Sequence, residues 1–177
     1  LTMHNILGKD RFFIDMAAFW VEAAVNAIES RGRFDVALSG GRTPGRLYRL
    51  VAKSPRMKAY WPKVHLWFGD ERCVPPDSEQ SNFLMVRKTL IDHVGDVNAY
   101  RMEGGLDPKE AADRYGNHMA QLRQGDEMPV LDLVMLGVGP DGHIASLFPG
   151  SDNYLERTKP VSAAYIETVG MWRLSMT

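Results

Sequence analysis

Two glycine-rich stretches and one charged stretch hold the residues of this sequence that are best suited to chemistry. The first is Ser39–Pro44, which joins the end of a predicted strand to the start of a predicted helix. Its consecutive glycines let backbone N–H groups converge, and the helix N-terminus adds a partial positive charge, so the stretch suits an anion such as phosphate. The candidate anion-binding residues are Ser39, Gly40, Gly41, Arg42 and Thr43.

A plain structural explanation of Ser39–Pro44 stays open. Two glycines can simply make a tight turn, and Thr43 can cap a helix whose first residue is Pro44. No Gly-Lys-Ser/Thr follows at the spacing of a Walker loop, so that kind of nucleotide site is not predicted.

The second glycine-rich stretch, Gly137–Gly142, is followed by His143. An imidazole titrates near neutral pH and is a natural general base, and the carboxylate of Asp141 can orient it. The alternative is a turn histidine that is hydrogen-bonded to the backbone. The remaining histidines lack the spacing of metal ligands and are assigned structural roles: His4, His65, His93 and His118.

Gly137–Gly142 also fits the pattern G-x-G-x-x-G of dinucleotide-binding proteins. That pattern has to open a long crossover helix, whereas Phe148-Pro149-Gly150 interrupts the chain a few residues later. We therefore do not predict a nicotinamide site.

The charged stretch is Asp70-Glu71-Arg72, directly after a predicted strand and Gly69. Paired carboxylates can perform acid–base chemistry, and an arginine can hold phosphate or a developing oxyanion. A solvated charged loop is the alternative explanation. Cys73, the single cysteine, has no assignable partner histidine, and we interpret it as incidental.

Predicted strands and helices alternate along the chain, and the central strands are nearly continuous apolar runs. Both features indicate an α/β fold with an open, mostly parallel, Rossmann-like sheet covered by helices on both faces. In such folds ligands bind beyond the carboxyl ends of the strands, where all three stretches lie. The predicted helices are Phe12–Ile28, one that begins at Pro44, one capped by Asn82 and one capped by Asp107. The predicted strands are Phe34–Leu38, Val64–Phe68, Leu131–Leu136, Val161–Ile166 and Trp172–Met176. The segment Gly69–Ser81 is predicted to lack regular structure.

The composition is that of an ordinary globular domain. The chain has 177 residues, of which 45% are hydrophobic and 24% charged, and a chain of this length can bury a substantial core. Its 21 Lys and Arg residues and 22 Asp and Glu residues nearly cancel, which argues against nucleic-acid or anionic-membrane partners. No apolar run approaches the roughly 18 residues of a membrane span. Leu1–Asn5 shows no secretion signal, so we expect a cytoplasmic location.

Three stretches, in this order and separation, resemble the family of 6-phosphogluconolactonases. They are LSGGRTP at 38–44, WFGDERCVP at 67–75 continued by SNF at 81–83, and LGVGPDGHIASLFPG at 136–150. The similarity extends from about residue 30 to the end of the chain.

The resemblance implies hydrolysis of 6-phospho-D-glucono-1,5-lactone to 6-phosphogluconate without a metal or an organic cofactor. It implies that His143 is the general base, supported by Asp141, and that the loop Ser39–Thr43 holds the phosphate. Arginine is expected to help hold the phosphate: Arg72, with Arg42 and Arg173 as alternatives. The further substrate-binding candidates are Asp70 and Gly139.

Two other functions are considered beside the lactonase. Glucosamine-6-phosphate deaminase shares the Asp-Gly-His element, but its pattern continues into Phe-Asn-Glu-Pro and favours tyrosine at the position of Arg72. The present chain instead reads Ser146-Leu147-Phe148-Pro149, which favours the lactonase. A non-catalytic sugar-phosphate sensor is the third hypothesis, and the intact Asp141 and His143 argue against it.

The resemblance also implies one α/β domain over residues 1–177. Members of the family usually continue with at least one more helix and strand, so we expect C-terminal elements of the domain to be absent from this sequence. A monomer or a small homo-oligomer is expected.

Overall fold

A computed structural model of the protein describes residues 11–122 and 128–177. The segment Leu1–Asn5, which includes His4, lies outside the described residues. Within them the helices are α1 (Phe12–Arg31), α2 (Arg42–Ala52), α3 (Asn82–Thr89) and α4 (Pro108–Met119). The strands are β1 (Phe34–Leu38), β2 (Val64–Phe68), β3 (Asp70–Arg72), β4 (Asn98–Ala99), β5 (Leu133–Val134), β6 (Val161–Ile166) and β7 (Met171–Met176).

A parallel sheet with the strand order β4-β2-β1-β5 forms the centre of the molecule. All five residues of β1 are buried, and each pairs with a residue of β2, from Phe34 opposite Val64 to Leu38 opposite Phe68. A strand that is covered on both faces is a nearly continuous apolar run, as the sequence pattern indicated. The one charged residue of β1, Asp35, accepts hydrogen bonds from Arg33 and Trp67.

Helices cover both faces of this sheet. Trp67 of β2 meets Tyr115 of α4, with ring centroids 6.0 Å apart, and the next residue, Phe68, meets Phe83 of α3 at 5.9 Å. Successive side chains of a strand point to opposite faces, so α3 and α4 lie on opposite sides. On the α3 side, Trp20 of α1 packs edge-on against Phe34 of β1. The predicted fold class is confirmed.

A second, antiparallel sheet has the strand order β3-β7-β6 and joins the first at Gly69. The Gly69 amide donates to the carbonyl of Leu38 at 2.9 Å, and the Gly69 carbonyl accepts from the Met176 amide at 2.8 Å. The prediction that Gly69–Ser81 lacks regular structure is therefore wrong for β3. Its three residues pair with β7, about a hundred residues later in the chain, and that contact leaves no local pattern.

Other predicted boundaries also change. The apolar run Leu131–Leu136 forms a strand only at Leu133–Val134, since β5 ends the strand order and pairs with β1 alone. The helix predicted from Pro44 begins two residues earlier, at Arg42. Ser81, rather than Asn82, caps α3 by accepting from the Leu84 amide. Asp107 caps α4 as predicted, because its carboxylate accepts from two amides of the first turn.

Candidate active site

The three stretches meet at one cavity of about 190 Å³ at the carboxyl ends of β1, β2 and β5. Its position agrees with the rule for ligand sites in open α/β sheets. Among the predicted site residues, those that line it are Ser39, Gly40, Gly41, Asp70, Arg72, Gly139 and His143. The structure adds Asn82, Gly137, Val138 and Ala145 to the lining.

Four predicted site residues lie outside this lining. Arg42 lines a neighbouring cavity of about 320 Å³, which Gly41 and Arg72 also border. Thr43 is exposed in the first turn of α2, and no side chain caps that helix, so the capping role considered for Thr43 is not observed. Asp141 reaches the cavity through His143, and Arg173 lies beside Arg72 across the β3–β7 pairing.

His143 and Asp141 form the pair that the sequence indicated. The Nδ1 atom of His143 lies 2.5 Å from a carboxylate oxygen of Asp141. This hydrogen bond holds the pKa of Asp141 below its usual value, so the carboxylate is ionised and accepts the Nδ1 proton. The lone pair of the neutral imidazole is then at Nε2, the nitrogen that can accept a proton from water or substrate.

The backbone around His143 is a narrow turn. The Gly139 amide donates to the His143 carbonyl at 2.8 Å, and the Gly142 amide donates to the Gly139 carbonyl at 3.0 Å. Gly142 has φ +86°, a conformation that glycine adopts without strain. Ala145 has φ +48°, so the turn also holds one residue with a side chain in the left-handed region.

The loop Ser39–Arg42 is fixed by contacts on both sides. The buried Tyr48 hydroxyl donates to the Ser39 carbonyl and accepts from the Ser39 amide, both at 2.9 Å. Burial raises the pKa of Tyr48, so the hydroxyl keeps the proton that it donates. A β-carbon on Gly40 would overlap the side chain of Asn82, so glycine is required there. Gly41, with φ +104°, starts α2 and leaves the first amides of that helix to an anion.

The acidic pair divides between the cavity and the interior. Asp70 lines the cavity, accepts from the Ser146 hydroxyl at 2.7 Å and accepts from the Asn82 side-chain amide at 3.2 Å. Glu71 is buried and accepts four hydrogen bonds, three of them from the start of α3. Burial raises the pKa of Glu71, and those four hydrogen bonds oppose the shift. The donors are the amides of Arg72, Asn82 and Phe83 and the hydroxyl of Ser81.

Arg72, which lines the cavity, has Arg173 of β7 as its direct neighbour. They are direct partners in the β3–β7 register, and within the described residues the Nε atom of each is buried without a hydrogen-bond partner. Burial lowers the pKa of Arg173, and the positive charge of Arg72 lowers it further. The Arg72 guanidinium also donates to the carbonyl of Gln80. Two neighbouring cations, each with an unused Nε donor, favour an anionic ligand.

Known proteins resemble the chain in both sequence and fold. The family of glucosamine-6-phosphate isomerases/6-phosphogluconolactonase matches residues 8–177. The chain belongs to this family. The 6-phosphogluconolactonase of Nostoc sp. is 42% identical over 132 residues, covering 71% of this chain and 53% of the relative. That of Haemophilus influenzae is 37% identical over 145 residues, covering 80% of this chain and 61% of the relative.

A solved structure extends the likeness to nearly the whole chain. The 6-phosphogluconolactonase of Trypanosoma brucei matches with a TM-score of 0.85 at 26% identity, covering 99% of this chain and 76% of that one. The chain spans between half and two thirds of the length of the Nostoc and Haemophilus relatives.

Besides the backbone positions Gly137, Val138 and Ala145, sequence reasoning missed two polar residues at the candidate site, Asn82 in its lining and Ser146 behind Asp70. Asn82 lies against Gly40 and Asp70, and Ser146 links Asp70 to the turn of His143. Both are ordinary polar residues within the family motifs, and only the meeting of distant loops gives them their positions.

No helix of residues 11–122 and 128–177 is long and apolar enough to cross a membrane. In the same ranges no group of three or more His, Cys, Asp or Glu side chains is placed to hold a metal ion.

Proposed function

We propose that the protein hydrolyses 6-phospho-D-glucono-1,5-lactone to 6-phospho-D-gluconate, with His143 as the general base. One observation carries the proposal. The imidazole of His143, paired with Asp141, lines the same cavity as the Gly40–Gly41 backbone and Arg72. The proposed base and the proposed anion site therefore border one cavity of about 190 Å³.

In the proposed reaction, Nε2 of His143 takes a proton from water while the water oxygen attacks C1 of the lactone. The tetrahedral intermediate then collapses, the bond from C1 to the ring oxygen breaks, and the imidazolium returns the proton to the new hydroxyl group. General-base catalysis contributes about 10²–10⁴-fold. A donor placed at the developing oxyanion, such as Arg72 or a backbone N–H, adds roughly 3–4 kcal/mol.

The phosphate end of the substrate is proposed to bind the amides at the start of α2 together with Arg72, with Arg42 and Arg173 adding positive charge nearby. Anchoring the phosphate fixes C1 relative to His143 and so converts binding energy into orientation. The reaction as proposed uses water and no cofactor. A cytoplasmic location is part of the proposal, and the unpaired thiol of Cys73 is compatible with it.

The test is an assay of the purified protein with freshly made lactone and, separately, with glucosamine 6-phosphate, corrected for spontaneous lactone opening. We expect lactone hydrolysis and no release of ammonia. His143→Ala is expected to reduce turnover by about 10²–10⁴-fold, while the exposed His93→Ala variant retains the parent rate. Equal turnover in His143→Ala and parent would exclude His143 as the base, and ammonia release would favour the deaminase.

A further inference from the structure

The aromatic ring of Phe148 lies flat against the imidazole of His143. The two ring centroids are 3.9 Å apart and the planes differ by 20°. The backbone of Gly139 also approaches the imidazole closely, because a β-carbon on Gly139 would overlap its Cε1 and Nδ1 atoms. The orientation of His143 is therefore set by two contacts in addition to the hydrogen bond with Asp141.

A hydrogen bond at Nδ1 alone leaves the imidazole free to pivot about the line that joins Nδ1 to the carboxylate oxygen. Asp141 cannot prevent this rotation, since its own side chain is 46% exposed and stands on the same glycine-rich turn. A stacked ring does prevent it, because pivoting would move the imidazole edge into the face of Phe148. The contact thus fixes the direction in which Nε2 points.

Phe148 is itself held firmly by its backbone. Its carbonyl accepts from the amide of Ser151 at 3.0 Å and from the hydroxyl of Ser151 at 2.7 Å. Two residues before it, the Ser146 carbonyl accepts from the side chain of the buried Asn153 at 3.1 Å. Phe148 is not among the residues that line the cavity, so it acts on the reaction through His143 rather than through the substrate.

We propose that Phe148 is a positioning residue that holds the plane of the His143 imidazole so that Nε2 faces the attacking water. This inference rests on the proposed role of His143 as the base. Small misplacements of a catalytic group cost up to about a hundredfold in rate. Loss of the stacked ring therefore lowers kcat by about 10–100-fold and leaves KM nearly unchanged.

The variants that test this are Phe148→Leu, which keeps an apolar side chain without a planar face, and Phe148→Tyr, which restores the planar face. We expect Phe148→Leu to lose kcat and Phe148→Tyr to recover most of it, with both melting within a few degrees of the parent. Parent-like kcat in Phe148→Leu, or equal losses in the two variants, would overturn the proposal.

A double-mutant cycle separates positioning from general structural support. In the His143→Ala background, Phe148→Leu should leave the residual rate unchanged, because the residue it positions is gone. A further loss there would show a structural role and overturn the proposal. If His143→Ala retains full activity, the proposed role of His143 as the base fails, and that result is distinct from a parent-like kcat in Phe148→Leu alone.

NMR spectroscopy of the parent protein tests the stacked arrangement without any variant. The ring protons of His143 should show an upfield ring-current shift and cross-relaxation with the ring protons of Phe148. Absence of both in the NMR spectrum would contradict the stacked arrangement.

Discussion

Asp70 and Glu71 are neighbours in the sequence but contribute to different parts of the molecule. Their side chains point to opposite faces because they belong to strand β3. Asp70 lines the cavity, whereas Glu71 is 2% exposed and accepts hydrogen bonds at the start of α3. The sequence suggested a carboxylate pair for acid–base work. That interpretation is wrong for Glu71, because its side chain points away from the cavity. The sequence did not show this, since the alternation of side chains follows only from the pairing of β3 with β7.

At the same scale, Asp141→Asn tests how His143 is oriented. The substitution keeps the size of the side chain but removes the negative charge beside Nδ1, so we expect kcat to fall by about 10–100-fold, at or below the lower end of the roughly 10²–10⁴-fold that general acid–base catalysis contributes. The hydrogen bond with His143 lowers the pKa of Asp141. The Asp141 carboxylate therefore supports His143 fully at any pH above the ordinary pKa of aspartate. This support is lost only as the pH falls through the lower pKa that Asp141 has in the folded protein. Initial rates of lactone hydrolysis by Asp141→Asn and by the parent give the two kcat values. An unchanged kcat in the variant would show that the charge of Asp141 is dispensable.

Cys73 gives a second prediction at the residue scale. Burial, chiefly, raises the pKa of its thiol to about 11, so little thiolate exists at pH 8. We expect a disulfide reagent at pH 8 to react about a hundredfold more slowly with the folded protein than with the urea-unfolded chain. Cys73→Ser should keep lactone hydrolysis. Fast labelling of the folded protein, or loss of activity in the serine variant, would contradict the incidental role.

Among the elements, those whose signal is local could be predicted and those that depend on a distant partner could not. The strands Phe34–Leu38 and Val64–Phe68 have the predicted bounds, because a buried parallel strand is a nearly continuous apolar run. The Asp107 cap is equally local. By contrast, Asp70–Arg72 is polar and becomes a strand through β7, and most of Leu131–Leu136 lies outside β5 despite its apolar character.

Helix α3 depends on the carboxylate of Glu71, and Glu71→Gln tests this. In glutamine, an NH₂ group replaces one of the two carboxylate oxygens of Glu71. This group donates instead of accepting, so it cannot bind the N–H groups at the start of α3. Unsatisfied buried donors cost about 1–3 kcal/mol each, so we expect a loss of roughly 2–4 kcal/mol in the free energy of unfolding, measured by urea titration. The matched control is Glu79→Gln in the loop that follows β3, since Glu79 and its ion-pair partner Lys88 are both exposed. Similar losses in the two variants would refute the role of Glu71.

For the whole molecule, the cavity is built where the two sheets join. The glycine-rich loops belong to the ends of parallel strands, whereas Asp70 and Arg72 belong to β3 of the antiparallel sheet. Gly69 connects the sheets through the backbone, and Ser146 connects Asp70 to the turn of His143. The site geometry therefore requires both sheets to be folded together, a condition that no single sequence motif expresses.

Ser146→Ala tests whether the two sheets unfold as one unit. The Ser146 hydroxyl, 1% exposed, donates to Asp70, and the Ser146 amide lies 3.3 Å from the Ser175 hydroxyl of β7. Removing the hydroxyl costs about 1–3 kcal/mol. Native-state hydrogen exchange measures the free energy of opening at the slowest-exchanging amides of β2 and β7. If the two sheets unfold in one cooperative transition, these two free energies are equal in the parent. Ser146→Ala then lowers the two free energies by the same amount. A fall confined to β7 would mean that the antiparallel sheet opens alone, and Arg72 and Asp70 would then leave the cavity while His143 and the glycine loop stay in place.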